Sequence, residues 1–214
     1  MYRSLFIALV AGIMFQASVA ISAGPAVHGP AAYKIDPSHT RVLYFISHLG
    51  FSKMPGQFND INGTILFDPD DVSTARIDAV INAKSVSMGH EVLDKKLQGP
   101  DYFNTGKYPE IRFVSTSVQK TGETRGKITG NLTLLGVTRP VTLNVKLNRH
   151  GPNPYAKSDA IGFSAWGKIR RSDFGMKILL PDVGDEISLR IEAEAQGGSP
   201  ASSTAAPVVP RSAR

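Results

Sequence analysis

The sequence predicts an all-β domain, an eight-stranded antiparallel barrel with one short helix. Three observations lead to this prediction. Apolar residues recur at every second position, Gly, Pro, Asn and Asp separate the segments that show this period, and there are eight such segments. Eight long strands in one domain form either a closed cylinder or a two-layer sandwich. Strands of about nine to twelve residues favour the barrel, which encloses its own packed side chains or one small ligand.

The predicted strands follow one another along the chain with a period of two. The last strand is the clearest, because Ile187, Leu189 and Ile191 alternate with polar residues. This alternation is typical of a strand with one apolar face and one solvated face. The eight predicted strands span residues 40–48, 56–67, 76–82, 110–119, 124–135, 140–148, 160–170 and 187–195.

One stretch, from Ser87 to Gln98, departs from this period. Its apolar residues have a helical spacing: Met88, Val92, Leu93 and Leu97. We predict that Ser87 caps the start of the helix, that Glu91 lies in the first turn, and that Gly99-Pro100 ends it. The domain is therefore all-β with one helical interruption.

Residues 1–20 have the composition of a secretion signal. A cation, Arg3, precedes an apolar run from Leu5 to Phe15, and small residues follow up to Ala20. The run is shorter than the ~20 apolar residues that a membrane-spanning helix needs. We therefore predict cleavage after Ala20 and export of the remaining chain.

Beyond the signal, the folded unit is predicted to span residues 32–196. Residues 21–31 are small and rich in Gly and Pro, which is typical of a flexible leader. Residues 197–214 have a low-complexity composition that cannot bury much apolar area, so we predict a disordered tail. The remaining length is sufficient for one domain with its own core.

The chain contains no cysteine and carries a formal net charge of +6, with a sequence pI near 9.6. The lack of cysteine excludes thiol catalysis, thiolate metal sites and disulfide exchange. Nucleic acid is not an expected partner of an exported protein. The basic surface therefore meets an anionic membrane surface or a phosphate-bearing ligand, or it serves solubility alone.

The sequence contains no template for catalysis or for cofactor binding. It lacks the Gly-x-Ser-x-Gly nucleophile elbow, the glycine-rich phosphate loops, and the His-x-His and His-Glu-x-x-His metal patterns. We therefore predict no enzymatic activity, no metal and no cofactor. A catalytic pair of carboxylates across a cleft stays a possible alternative, because sequence alone cannot place two such groups in space.

The candidate ligand-binding residues are mainly apolar and aromatic side chains at alternating strand positions. On the first predicted strand, one face carries Val42, Tyr44 and Ile46 and continues to His48. The full set of candidates is Val42, Tyr44, Ile46, His48, Phe58, Tyr102, Phe103, Phe113, Phe163, Trp166, Arg170 and Phe174. These side chains line the interior if the barrel is hollow. Ordinary core packing is the alternative for each aromatic residue.

Two groups of polar residues have alternatives of their own. His48 either bonds a ligand's polar head near the barrel mouth or satisfies a buried partner. Lys168, Arg170 and Arg171 lie at the end of a predicted strand, shortly before Phe174. Arginine pairs well with phosphate oxygens, so this cluster either grips a phosphate head group or is only solvated.

Five segments in one order carry a further pattern across nearly all of residues 32–196. They are Ile35–Phe51 (IDPSHTRVLYFISHLGF), Gly56–Phe58 (GQF), Leu97–Pro109 (LQGPDYFNTGKYP), Gly130–Thr138 (GNLTLLGVT) and Ile169–Gly175 (IRRSDFG). In this order they resemble the YceI-like family, also called polyisoprenoid-binding proteins. The sequence departs from the family's pattern in three places. Leu93-Asp94 replaces a common Arg-Asp, Asp101 to Asn104 replaces a common Asp-Phe-Phe-Asp, and Tyr44 stands where phenylalanine is usual.

The resemblance implies a lipocalin-like barrel with a long internal pore, a periplasmic location and no enzymatic activity. It also implies a polyisoprenoid-type ligand, such as a quinone or a polyprenyl phosphate, and hence a lipid carrier. Two other functions are compatible with the residues: a stress-protective interaction module with a filled barrel, and an enzyme acting on a lipid. The oligomeric state stays open, and a dimer is one of the alternatives.

Overall fold

The structure, a computed structural model, describes residues 29–200. The strands are β1 (Ala31–Ile35), β2 (Arg41–His48), β3 (Ser52–Phe58), β4 (Ile61–Phe67), β5 (Arg76–Asn82), β6 (Val86–Ser87), β7 (Glu110–Lys120), β8 (Arg125–Leu134), β9 (Val137–Pro152), β10 (Asp159–Arg170) and β11 (Val183–Pro200). The helix is α1 (Glu91–Gln98), and a 3-10 turn spans Arg171–Phe174. The predicted signal, residues 1–20, lies outside the described part of the chain.

Eight of these strands form a closed antiparallel barrel, in the order β1, β4, β5, β7, β8, β9, β10 and β11. The pairing of β1 with β11 closes it, and there Ile35 lies opposite Ala195 and Tyr33 opposite Gly197. The predicted eight-stranded antiparallel barrel with one short helix is confirmed.

Strand β11 pairs with three other strands. From Glu186 to Gly197 it pairs with β10, while its C-terminal part pairs with β1 and its N-terminal part with β2. At the corner between β1 and β2, the Thr40 hydroxyl and the Asp36 amide both donate to the Glu194 carbonyl oxygen, over 3.2 Å and 2.9 Å. Strands β1 and β2 therefore lie end to end along β11, and β3 and β6 extend the wall beside β2.

The predicted strand over residues 56–67 is wrong, because two strands with a turn between them occupy this region. Strand β3 pairs with β2, whereas β4 pairs with β1, so the chain must turn sharply between them. The Asn59 and Asp60 amides make this turn and donate to the Ser85 hydroxyl over 3.2 Å and 3.1 Å. The short strands β1 and β6 were not predicted, since five and two residues give too weak a period.

The predicted cap of the helix at Ser87 is also wrong, because α1 begins at Glu91 after His90. Ser87 belongs to β6 and lies opposite Gln57 of β3, which holds it in an extended conformation. Its hydroxyl donates to Asp94 Oδ2 over 2.8 Å, so it still tethers the helix to the sheet. Within residues 29–200, no helix has both the length and the apolar character needed to cross a bilayer.

Ordered structure extends slightly beyond the predicted domain limits of 32 and 196. Strand β1 starts at Ala31, inside the segment predicted as leader, and β11 continues to Pro200. Residues 197–200 therefore form part of the closing strand and not of a tail, because they pair with β1. The rest of the predicted tail, residues 201–214, lies outside the described residues.

Candidate ligand-binding tunnel

The interior of the barrel contains two cavities, of about 220 Å³ and about 370 Å³. The first cavity lies toward the β7–β8 hairpin, and its wall is mainly aliphatic and aromatic, with Ile65, Ile77, Phe113, Leu143, Val145 and Phe163 among its residues. The second cavity lies toward α1, and its wall includes Tyr44, Phe58, Phe103, Ile111, Leu134 and Ile187. The barrel is therefore not filled by its own side chains.

The two cavities lie next to each other, because four wall residues are common to both. Val42, Ile81, Leu132 and Leu189 border both cavities and come from β2, β5, β8 and β11. We call these four residues the neck, and the two cavities together the tunnel. Taken together, the two volumes fall within the roughly 300–1,000 Å³ that is typical of small-molecule sites.

Both ends of the tunnel reach the protein surface. The wall of the first cavity includes the exposed residues Lys120 and Glu123 at the β7–β8 hairpin. The wall of the second cavity includes the exposed residues His48, Lys96 and Leu179, which lie on the β2–β3 hairpin, on α1 and in the 175–182 loop. A long, narrow molecule could therefore enter from the surface and extend past the neck.

Nine of the twelve candidate residues line the tunnel. Val42 lies at the neck, and Phe113 and Phe163 border the first cavity. The others border the second cavity: Tyr44, Ile46, His48, Phe58, Tyr102 and Phe103. The aromatic rings contact one another there, with the Phe58 ring centroid 5.9 Å from that of Tyr44 and 5.2 Å from that of Phe103.

The other three candidates, Trp166, Arg170 and Phe174, do not line the tunnel. Phe163 points inward, so the period of two along β10 places Trp166 and Arg170 on the outer face. There the Arg190 guanidinium lies 6.0 Å from the centre of the Trp166 ring. Phe174 is 2% exposed and packs in the core from the 3-10 turn, so burial alone does not identify a tunnel residue.

The cluster of Lys168, Arg170 and Arg171 does not converge on one phosphate site. Lys168 pairs with Glu186 over 2.7 Å on the surface, and Arg170 is exposed. Only Arg171 points inward, where it is 4% exposed and borders the second cavity. Lys168 and Arg170 therefore lie on the outer face and Arg171 points the other way, because neighbouring residues face opposite sides.

The Arg171 guanidinium is held by three main-chain carbonyl groups. Its Nε donates to Gly184 O over 2.8 Å, its Nη2 to Val183 O over 2.7 Å, and its Nη1 to Met176 O over 3.2 Å. Burial lowers the pKa of Arg171, and Asp185 acts in the opposite direction. The sequence contained a signal for this residue, since Ile169 faces the tunnel and Arg171 follows it by two positions.

Tyr44 is the second buried polar residue in the wall of the second cavity. It lies opposite Gly56 of β3, where a Cβ atom would overlap the Tyr44 ring, so glycine is needed to make room. The Tyr44 hydroxyl has no hydrogen-bond partner among residues 29–200. Burial raises the pKa of Tyr44, and the nearby Asp94 raises it further.

The polar groups around the second cavity are donors or cations. They are Tyr44, His48, Lys96, Tyr102 and Arg171, and within the described part of the chain no carboxylate belongs to this wall. In residues 29–200 no group of three or more His, Asp and Glu side chains is arranged to hold a metal ion. His48 therefore borders the second cavity with no carboxylate among the wall residues of the described chain.

The sequence matches the family described as "YceI-like domain" over residues 33–195. It is 44% identical over 185 residues to Protein YceI of Escherichia coli O17:K52:H18, which covers 86% of this chain and 94% of the relative. A similar match, at 42% identity over 180 residues, is found with Protein YceI of Salmonella arizonae and covers 83% of this chain and 92% of that relative.

Solved structures have the same fold. The Campylobacter jejuni YceI protein is 32% identical with a TM-score of 0.63, and covers 72% of this chain and 90% of its own. A polyisoprenoid-binding domain from Saccharophagus degradans has a TM-score of 0.61 at 16% identity, and covers 78% of this chain and 99% of its own. At that identity the second likeness shows the fold alone.

Proposed function

Since this chain belongs to the YceI-like domain family, we propose that it is a periplasmic carrier that holds a long-chain isoprenoid-type lipid in its tunnel. The observation that carries the proposal is that the neck residues Val42, Ile81, Leu132 and Leu189 border both apolar cavities, from which we infer that the cavities form one passage. A passage of this kind fits a long, narrow and mostly apolar molecule. The described wall offers few directional contacts, so selection acts on length and shape.

The energetics of burial favour such a ligand. Each buried CH₂ group contributes roughly 0.8 kcal/mol. A chain of several isoprene units therefore offsets an association cost of ~4–15 kcal/mol without a catalytic residue or a covalent bond. A quinone and a polyprenyl phosphate both satisfy this requirement, because they share the isoprenoid tail and differ in the polar head.

The unfilled interior also weighs against the interaction module with a filled barrel. Such a module has no use for two joined cavities, whereas a carrier requires them. The wall of the second cavity weighs against a lipid-modifying enzyme, since its titratable residues do not include a carboxylate in residues 29–200. The carrier is therefore the function that the geometry supports best.

Organic extraction of the protein purified from its native host, followed by mass spectrometry, tests the proposal. We expect an isoprenoid lipid in near-equal molar amount to the protein, because both cavities must be filled to gain the full burial energy. A protein of similar size purified in the same way controls for lipid carried over from membranes. An extract without isoprenoid lipid would overturn the proposal.

We further propose that the mouth of the second cavity docks on an anionic lipid bilayer when the ligand is exchanged. Three apolar side chains project there, because Leu49 is 51%, Phe51 90% and Leu179 49% exposed. The Leu49 amide donates to Asp182 O over 2.8 Å, so the β2–β3 hairpin and the 175–182 loop form one surface. Lys53 of the hairpin and Lys177 of the loop add exposed positive charge, which fits an anionic head-group layer.

The double variant Phe51→Ser, Leu179→Ser is expected to lower binding to phosphatidylglycerol-containing vesicles about tenfold, because it removes apolar area from the docking surface. Sedimentation with vesicles measures this change. Tyr155→Ser is the matched control, since Tyr155 is 99% exposed at the opposite end of the barrel. This variant should bind the vesicles as wild type does. Equal sedimentation of the double variant and wild type would contradict docking. Self-association of wild type without vesicle binding would assign the surface to a second copy of the chain.

A further inference from the structure

We propose that α1 is a hinged lid over the mouth of the second cavity, and that Asp94 is the latch that holds it closed. The inference deepens the proposed function and rests on it, because the lid controls the passage of the lipid into and out of the tunnel. It assigns the route of the ligand to the mouth between α1 and the 175–182 loop.

The first step is the position of α1 at the end of the tunnel. Leu93 and Leu97 of the helix border the second cavity, and so do Ile178 and Leu179 of the 175–182 loop. Leu93 is 37% and Leu179 49% exposed, so both elements reach from the cavity to the surface. Because the helix and the loop contribute to the same wall, a movement of α1 alone would widen this mouth.

The second step is the uneven attachment of α1. All eight residues of the helix belong to the described chain, none of them is buried, and Val92 is 68% exposed. The C-terminal end is anchored, since the Phe103 amide donates to Leu97 O over 2.9 Å and Gln98 Nε2 donates to Lys84 O over 3.1 Å. An element with few buried contacts opens locally at a low free energy. The N-terminal part can therefore move while the C-terminal turn stays in place.

The third step is the latch on the N-terminal part. The Met88 amide donates to Asp94 Oδ1 over 2.6 Å, and the Ser87 hydroxyl donates to Asp94 Oδ2 over 2.8 Å. Hydrogen bonds to a carboxylate are stronger than those between neutral groups. Gly89 follows the two donors with φ of +73°, a left-handed conformation that glycine adopts without strain. One carboxylate thus fastens the helix to β6 beside a residue that can act as the hinge.

The variants Asp94→Ala and Glu91→Ala test the latch as a matched pair. Both remove a carboxylate from the first turn of α1, so both lose the same interaction with the helix dipole. Glu91, however, pairs with Lys95 on the surface of the helix over 2.7 Å. We expect Asp94→Ala to accelerate the transfer of octaprenyl benzoquinone from loaded protein to phosphatidylcholine vesicles about tenfold. Glu91→Ala should transfer the probe at the wild-type rate.

The affinity for the probe separates a lid from a residue that merely supports the wall. The latch is closed in the lipid-free protein and in the loaded protein, so its loss destabilises both alike. Loading and release should therefore accelerate by the same factor, and Kd should stay unchanged. A higher Kd for Asp94→Ala with an unchanged loading rate would make Asp94 a structural residue and overturn its role as a latch.

A cross-link tests the lid in the opposite direction, also if Asp94→Ala does not fold. The chain has no cysteine, so the double variant Ser87→Cys, Asp94→Cys carries one thiol pair at the site of the latch. Joining the two thiols with a short bifunctional reagent should slow the transfer about tenfold or more relative to wild type. The same reagent on Ser87→Cys alone should leave the transfer rate unchanged. Transfer at the wild-type rate by the cross-linked protein would overturn the lid.

The failure of the lid and the failure of the carrier give different results. If wild type takes up the probe while neither the loss of the latch nor the cross-link changes its transfer rate, the lid is wrong and the carrier function stands. If wild type takes up neither octaprenyl benzoquinone nor octaprenyl phosphate, the carrier function fails and this inference fails with it.

Discussion

The variant Val42→Trp is expected to lower the amount of long-chain isoprenoid bound to the purified protein at least tenfold. Val42 borders both cavities, so an indole ring at this position would block the neck between them. Only a molecule short enough for one cavity would remain bound. Extraction and mass spectrometry measure the amount and the chain length of the lipid.

The free energy of unfolding of Val42→Trp should differ from that of wild type by less than about 3 kcal/mol. The larger ring enters open space and not a filled core, so it avoids the usual cost of overpacking. Val114→Trp is the matched control, since Val114 lies on the outer face of β7 and is 36% exposed. It should retain the full amount of lipid. If Val42→Trp does not fold, Leu132→Trp blocks the same neck from the opposite wall. If a folded neck variant binds the same amount of lipid as wild type, with the same chain length, then the ligand does not pass the neck.

The variant Arg171→Met should lower the free energy of unfolding of the lipid-free protein by about 3 kcal/mol or more. Methionine fills much of the same volume but leaves the carbonyl groups of Met176, Val183 and Gly184 without their donor. For a domain of this size, that loss corresponds to a melting temperature lower by about 6–12 °C. Thermal and denaturant unfolding measure the change.

Arg170→Met is the control for Arg171→Met. Arg170 precedes Arg171 but is exposed, so its replacement should change the free energy of unfolding by less than about 0.5 kcal/mol. Arg171→Lys should recover only part of the stability, because an ammonium group cannot reach three carbonyls with the geometry of a guanidinium. Equal melting temperatures for the two methionine variants would show that the three carbonyl contacts do not stabilise the fold.

The period of two predicted most strands of the barrel, and strand residues chosen with it, such as Val42 and Tyr44, border the tunnel. It failed at the Asn59-Asp60 turn, because only these two residues separate β3 from β4, although the two strands pair with different neighbours. The candidates Phe163 and Trp166 cannot both face the tunnel, because residues three positions apart lie on opposite sides of β10. The same period, continued from Ile169, would have selected Arg171 in place of Arg170.

The tunnel itself could not be predicted from the residues. Whether a barrel is hollow depends on the volume of its inward side chains relative to the radius that the closed sheet imposes. Ile81, Leu132 and Leu189 form three sides of the neck, yet in the sequence they resemble any other core aliphatic residue. Tyr102 and Phe103 lie in the turn after α1, and their aromatic character, not a strand period, made them candidates.

The three-way pairing of β11 has a consequence for the order in which the protein is assembled. Strand β11 is the last of the described strands to be synthesised, and its partners β1, β2 and β10 cannot complete their pairing before it. Asp36 and Gln196, whose side chains bond over 3.0 Å, are 160 residues apart in sequence. Such distant contacts make folding slow. The barrel can therefore close only once β11 has been synthesised, and until then the apolar faces of the earlier strands stay uncovered.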